Sequence, residues 1–107
     1  MSDIKRDRTR AARHIFVAKA VVTEVESEKE IHGVLRNLSL YGCYVETPAP
    51  FCRGVMVELA ITHSSQKFMV LGKVAHAQPK GMGIVFMSTQ PNDQVILEKW
   101  MEQLRKP

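Results

Sequence analysis

The amino-acid sequence predicts a small antiparallel β-barrel of six strands followed by one C-terminal helix. Turn-forming residues interrupt the chain at intervals of about 8 to 14 residues, a spacing typical of all-β barrels and sandwiches. No helical period separates the extended segments, which argues against a parallel βαβ fold. Only after Pro91 does the spacing of the apolar residues become that of a helix.

Six segments are predicted as strands because they are rich in β-branched and aromatic residues and end at Gly, Pro, Asn or Ser. The acidic residues at 24–30 predict a hairpin loop, 37–42 a turn, and 63–66 a second hairpin turn. Gly72 lies inside the fifth segment and predicts a bend or bulge there. The predicted strands cover residues 16–25, 31–38, 43–47, 55–61, 68–77 and 82–87.

The C-terminal segment predicts an amphipathic helix over about residues 93–105. Asp93 is suited to accept hydrogen bonds from the amides of the first turn. The apolar side of this helix either packs on the barrel or binds a protein partner through Trp100 and Met101. The apolar residues of this side recur at spacings of three and four residues: Ile96, Leu97, Trp100, Met101 and Leu104.

Length and composition fit one soluble domain. Of the 107 residues, 45% are hydrophobic and 24% are charged, which is ordinary for a globular protein. No apolar run approaches the roughly 20 residues that span a bilayer, and no secretion signal precedes the first strand. Cys43 and Cys52 form no CxxC pair, so neither a disulfide framework nor a zinc site is expected. We therefore expect a cytoplasmic protein without membrane insertion, metal or cofactor.

The positive charge is concentrated at the N-terminus. The net charge is +4, and residues 1–14 alone contain five basic and two acidic side chains. We interpret residues 1–14 as a flexible basic arm, and residues 15–107 as the barrel with its helix. Because the guanidinium fork suits phosphates and guanine edges, an arginine-rich arm is a candidate anion-binding device. The alternative is a solvated terminus that only aids solubility.

No arrangement of residues indicates catalysis. The four histidines are scattered along the chain, and neither a GxGxxG nor a GxxxxGK[ST] motif is present. No pair of carboxylates is bracketed by apolar residues in the way that acid–base chemistry requires. The sequence therefore favours a binding module over an enzyme.

Two segments combine anion-binding residues with a turn. The first is the arm, where arginines precede the first strand, and the second is Asn37-Leu38-Ser39-Leu40-Tyr41-Gly42, which has the spacing NxSxxG. Strands that begin Gly42-Cys43-Tyr44-Val45 and Gly81-Met82-Gly83-Ile84 follow in order. From Arg6 to Leu104 the chain resembles the PilZ domain, the bacterial receptor module for cyclic di-GMP. The resemblance implies a six-stranded barrel, a nucleotide ligand and no enzymatic activity.

The arm carries the family's RxxxR motif in one of two registers. Arg6 and Arg10 satisfy the motif literally, whereas Arg13 holds the place next to the first strand, where the family's last arginine stands. Thr9 occupies the position four residues before Arg13, flanked by Arg8 and Arg10. We therefore expect Arg8, Arg10 and Arg13 to bind the ligand, with Arg6 as the alternative register.

The second motif is expected to bind the ligand from the barrel. The resemblance implies that Asn37 and Ser39 hydrogen-bond a guanine edge or a phosphate. Gly42 has no side chain, which permits a close backbone approach or a positive φ. Asn37 stands where the family also uses Asp, and an amide offers a single acceptor oxygen where a carboxylate offers two.

The predicted function is that of a cyclic di-GMP receptor or adaptor, which signals to a downstream protein when the arm closes on the ligand. The alternative is a degenerate PilZ-like adaptor that binds a protein partner without nucleotide. A barrel for single-stranded nucleic acid is a third interpretation. Such barrels need aromatic residues along a basic groove, but only 7% of this chain is aromatic, and its excess basic charge lies on the arm. We therefore do not expect a nucleic-acid partner.

Overall fold

The computed structural model describes residues 13–105 of the chain. Within this range the chain forms six strands and one helix. The strands are β1 (His14–Glu24), β2 (Glu30–Leu38), β3 (Gly42–Glu46), β4 (Met56–His63), β5 (Gln66–Gln78) and β6 (Gly81–Ser88), and the helix is α1 (Pro91–Arg105).

The strands close into an antiparallel barrel in the order β1-β2-β3-β6-β5-β4, with β4 paired back to β1. The predicted fold class is confirmed. The predicted hairpin between β4 and β5 is a two-residue turn in which Ser64 and Ser65 have φ values of 51° and 66°. When two successive turn residues both have a positive φ, the twist of the turn matches the right-handed twist of the flanking strands.

Alternate residues of the strands fill the inside of the barrel. On β4, Val57, Leu59 and Ile61 are fully buried, as the period of two requires. On β2 the buried residues Leu35 and Leu38 are three apart, because the pairing with β3 shifts register between Leu35 and Asn37. A register shift of this kind re-aims the side chains that follow it.

The irregularity in β5 was predicted correctly, whereas the turn between β2 and β3 was predicted too long. A register shift between Leu71 and Gly72 in the β5–β6 pairing confirms the irregularity expected at Gly72. The turn predicted at 37–42 is shorter in the structure, because Asn37 and Leu38 still belong to β2 and Gly42 already belongs to β3.

Helix α1 packs against the barrel and begins at Pro91, two residues before the predicted start at 93. The Asp93 carboxylate accepts a hydrogen bond from the backbone N–H of Met69 on β5 at 2.8 Å. It therefore ties the helix to the barrel, instead of accepting from the helix's own first turn as expected. Leu97, Trp100 and Met101 are buried. Of the two alternatives for the apolar side of the helix, packing on the barrel is therefore confirmed, and the structure does not favour a partner contact through Trp100 and Met101.

The described residues begin at Arg13, and β1 begins at His14, the last residue of the predicted arm. The other arginines of the predicted site, Arg6, Arg8 and Arg10, lie outside the described residues. Between residues 13 and 105, no helix is long and apolar enough to cross a membrane.

Candidate functional site

One transverse row of residues crosses four neighbouring strands of the barrel wall. Asn37 of β2 is paired with Tyr44 of β3, Tyr44 with Gly83 of β6, and Gly83 with His76 of β5. The same row continues onto β1 through the pairing of Ile15 with Asn37. We call the outer side of this wall, where the side chains of Asn37, Tyr44 and His76 lie, the outer face.

The basic arm meets the NxSxxG segment at this outer face. The Arg13 guanidinium donates a hydrogen bond from Nη1 to the Oδ1 atom of Asn37 at 3.2 Å, across 24 residues of sequence. Burial raises the pKa of the neighbouring Cys43 thiol, and the positive charge of Arg13 opposes that shift. Two residues predicted for the same site, Arg13 and Asn37, are therefore in direct contact.

Ser39 and Gly42 lie behind the outer face, in the turn between β2 and β3. The Ser39 side chain is only 4% exposed. Its hydroxyl donates to the carbonyl of Gly42 at 3.2 Å and accepts from the N–H groups of Tyr41 and Gly42 at 3.2 and 3.1 Å. One donor and two acceptor positions are the full capacity of a hydroxyl. A ligand contact by Ser39 would have to replace one of these bonds, so its ligand role stays a prediction.

Gly42 is a glycine for a packing reason. A methyl group at this position would overlap the backbone carbonyl oxygen of Ile84 on β6. The turn and β6 can therefore come together only when residue 42 lacks a side chain. Ser39 and Gly42 together fix where β2 ends and β3 begins, and so fix the position of Asn37.

Two rings form a flat platform on the outer face, which we call the Tyr44–His76 platform. A methyl group on Gly81 would overlap the Tyr44 ring and hydroxyl, and one on Gly83 would overlap the His76 ring, so the two rings lie directly over two glycines. Glycines two apart on a strand are roughly 7 Å apart and face the same side. The ring centroids are 6.3 Å apart and the ring planes differ by 23°, as expected for rings lying side by side.

The platform was not predicted from the sequence. Tyr44 is further held by its hydroxyl, which donates to the Oε1 atom of Gln78 at 3.0 Å. The available signal was the Gly81-x-Gly83 pattern, because glycine inside a strand marks a place where other atoms approach the backbone closely. Which rings cover those glycines depends on strand pairing, which the sequence did not provide.

An ion pair lies beside the platform and was also not predicted. The Arg36 guanidinium of β2 contacts the Glu46 carboxylate of β3 through Nε and Nη2, both at 2.6 Å from Oε1. Each side chain is about half exposed. Glu46 and Tyr44 are two residues apart on β3, so their side chains project from the same side of the strand.

A separate groove of about 560 Å³ lies between the β2–β3 turn, the end of β6 and helix α1. Leu40, Phe86 and Met101 contribute apolar lining, and Glu98 and Arg105 contribute charge. Met87, which is 56% exposed, also lines it.

Throughout the described part of the chain, no three His, Cys, Asp or Glu side chains are close enough to hold a metal ion.

Comparison with known proteins gives one family. A model of the PilZ domain matches residues 5–103 of the chain. No curated protein matches the chain by sequence.

Several solved structures share the fold. The PilZ domain of CeSA from a cellulose-synthesizing bacterium is 13% identical, with a TM-score of 0.73, over 90% of this chain and 100% of its own. The PilZ domain with c-di-GMP of YcgR from Escherichia coli is 14% identical, with a TM-score of 0.71, over 89% of each chain. The Bacillus subtilis inhibitor of motility, MotI/DgrA, is 20% identical, with a TM-score of 0.71, over 91% of this chain. The chain spans about half of MotI, 52% of its length.

Proposed function

The chain belongs to the PilZ domain family, and from this membership we propose that it is a receptor for cyclic di-GMP. On binding the nucleotide, the receptor passes the signal to a protein partner and catalyses no reaction. Two solved PilZ proteins that resemble this chain, YcgR from Escherichia coli and PlzA from Borreliella burgdorferi, are described as complexes with c-di-GMP.

The observation that carries the proposal is the contact of Arg13 with Asn37 beside the Tyr44–His76 platform. Cyclic di-GMP has two phosphates and two flat guanines, so a receptor needs cations, hydrogen-bonding groups and a stacking surface close together. Arginine supplies bidentate contacts to phosphate or to guanine O6 and N7. Stacking on aromatic rings contributes roughly 1–3 kcal/mol per base. The outer face brings these groups together.

Each residue of the proposed site has a role. Arg13, together with Arg8 and Arg10 from the arm, binds the phosphates and the Hoogsteen edge of a guanine. Asn37 binds the ligand from the barrel and is released from Arg13 when Arg13 turns to the ligand. A guanine stacks on the Tyr44–His76 platform.

Ser39 and Gly42 support the proposed site from the turn, where their hydrogen bonds and close packing fix the end of β2. Closure of the arm over the ligand is the proposed signal. Because β1 begins at His14, the last residue of the arm, closure of the arm would act on the barrel through this strand.

Isothermal titration calorimetry with cyclic di-GMP tests the proposal, with GTP and cyclic GMP as control ligands. We expect saturable binding of cyclic di-GMP alone, and affinity that falls as salt is raised, because phosphate contacts between exposed groups are screened. Arg13→Ala should weaken binding about ten- to hundredfold, the loss of one charge-assisted contact worth roughly 1.5–3 kcal/mol.

Matched variants distinguish the proposed arginines from other surface cations. Arg105→Ala removes an exposed arginine of α1 and should leave the affinity unchanged. Arg8→Ala and Arg10→Ala should weaken binding nearly as much as Arg13→Ala, and Arg6→Ala should weaken it less. A dominant effect of Arg6 with a neutral Arg13→Ala would instead support the literal RxxxR register.

The alternative is a PilZ adaptor that binds a partner without nucleotide. The groove beside α1, where Met87 is exposed, favours it because a concave surface with apolar lining suits a protein partner. The same calorimetry decides between the two functions. A folded wild type that gives no heat with cyclic di-GMP at micromolar concentration would overturn the receptor proposal and leave the adaptor.

A further inference from the structure

We propose that Glu46 reads the Watson–Crick edge of a guanine stacked on the Tyr44–His76 platform, and that Arg36 holds the Glu46 carboxylate in position to do so. This inference rests on the receptor function proposed above. It assigns base specificity to an acidic residue outside both sequence motifs.

The position of Glu46 is set by strand pairing. Glu46 is paired with Gly81 of β6, and the ring of Tyr44 lies over that same glycine. The carboxylate therefore stands at the β2 side of the platform, while Gln78, which accepts from the Tyr44 hydroxyl, stands at the β5 side. A planar base on the platform would have its edge within reach of Glu46.

The contact with Arg36 leaves Glu46 able to bind more. Both guanidinium contacts, from Nε and Nη2, go to Oε1 at 2.6 Å. Across residues 13–105, no hydrogen bond or ion pair is found at Oε2. Because both side chains are about half exposed, a ligand can approach the carboxylate without displacing core residues.

Guanine chemistry supplies the reason for a carboxylate here. The Watson–Crick edge of guanine presents two adjacent donors, N1–H and the 2-amino group, and an ionised carboxylate has two oxygens to accept them. Asn37 has one acceptor oxygen, so even after its release from Arg13 it offers one acceptor atom to these two donors. A carboxylate on the outer face offers two, and Glu46 lies beside the platform.

The test compares cyclic di-GMP with cyclic di-IMP, whose hypoxanthine bases lack the 2-amino group. Affinities are measured by calorimetry for the wild type, Glu46→Gln and Arg36→Met. Glu58→Gln is the matched control, because Glu58 is an exposed glutamate on β4, in another part of the barrel wall. Urea unfolding of each variant verifies that the fold is retained.

We expect the wild type to prefer cyclic di-GMP about tenfold or more, as for the loss of one charge-assisted hydrogen bond. Glu46→Gln should weaken cyclic di-GMP binding about tenfold or more and abolish the preference. Arg36→Met should weaken cyclic di-GMP binding and reduce the preference without abolishing it, because the carboxylate remains but is no longer held in place. Glu58→Gln should behave as the wild type.

Three results would overturn the inference. A Glu46→Gln variant that still prefers guanine would show that Glu46 does not read the base. An Arg36→Met variant with the affinity and preference of the wild type would show that Arg36 does not position the carboxylate. A wild type that binds neither nucleotide would overturn the receptor function itself, whereas the first two results leave that function intact.

Discussion

The two sides of β3 obey different constraints. Cys43 and Val45 face the inside of the barrel and are fully buried, whereas Tyr44 and Glu46 lie on the outer face. The inward side chains contribute through apolar burial, and burial raises the pKa of the Cys43 thiol. The outward side chains bury no core, so the fold alone does not explain why they are an aromatic residue and an acid.

The aromatic rings of the molecule show the same contrast. Inside, Trp100 lies 5.3 Å from Phe16 and 6.0 Å from Phe68 between ring centroids, in a cluster that joins α1 to the barrel. Outside, the rings of Tyr44 and His76 lie over glycines, although glycine inside a strand destabilises it by about 0.5–1 kcal/mol. Each ring covers the glycine beneath it and so offsets part of that cost, and the proposed function uses the two rings as a stacking surface.

The largest effect should follow from removing an inner ring. Trp100→Ala deletes a side chain that is 2% exposed, and we expect it to lower the free energy of unfolding by about 3–5 kcal/mol. Urea denaturation measures this, with Val95→Ala as control, because Val95 of the same helix is 57% exposed. The control should change stability by less than about 0.5 kcal/mol. A Trp100→Ala variant as stable as its control would mean that α1 is not part of the folded core.

The fold was predictable because both of its signals are local. Alternation on β4 and the three- and four-residue spacing on α1 predicted which residues are buried, and the Ser64-Ser65 turn was predicted from its composition. The role of Asp93 was not predicted, because its partner, the N–H of Met69, is 24 residues away. Such contacts depend on which distant segments of the chain come together, and this cannot be derived from a single sequence.

The site was predictable only where a motif described it. The motif residues Arg13 and Asn37 were predicted and are in contact. Tyr44 and His76 were not predicted, because they are 32 positions apart and are brought together only by the pairing of β3 with β6 and of β6 with β5. The burial of Ser39 was likewise not predicted, because the sequence of a turn motif does not indicate whether the serine hydroxyl faces the ligand or bonds within the turn.

A smaller effect, on binding and not on stability, should follow from a methyl group beneath an outer ring. Gly83→Ala places a methyl group where the His76 ring lies, so the ring must move and the platform is broken. We expect cyclic di-GMP affinity to fall about tenfold, roughly 1.4 kcal/mol, with unfolding nearly unchanged because His76 is exposed.

Gly42→Ala provides the opposite case for comparison. Its methyl group would meet the backbone carbonyl of Ile84, which cannot rotate away as a side chain can. This variant should lose stability in urea denaturation, whereas Gly83→Ala should lose mainly affinity in calorimetry. Equal stability losses in the two variants would contradict the idea that Gly42 is required for the fold whereas Gly83 is required for the platform.

The smallest effect separates a supporting serine from a ligand-binding one. Ser39→Ala removes a hydroxyl that bonds the Gly42 carbonyl and the N–H groups of Tyr41 and Gly42. The backbone bond from Ser39 N–H to the Gly42 carbonyl at 2.9 Å remains, but the N–H groups of Tyr41 and Gly42 lose the hydroxyl as acceptor. We therefore expect a stability loss of about 1 kcal/mol, the low end of the cost of a donor that loses its partner.

The control is Ser27→Ala, because Ser27 also bonds within a turn, to Glu24 and to the N–H of Lys29, but is exposed and lies in the β1–β2 loop. If Ser39 supports the turn, its removal should weaken cyclic di-GMP binding less than Arg13→Ala does, in step with the lost stability. If Ser39→Ala abolishes binding at unchanged stability, the hydroxyl must leave the turn to contact the ligand. That result would place Ser39 among the ligand-binding residues and not among those that only stabilise the fold, because its hydrogen bonds would then change partner when the ligand binds.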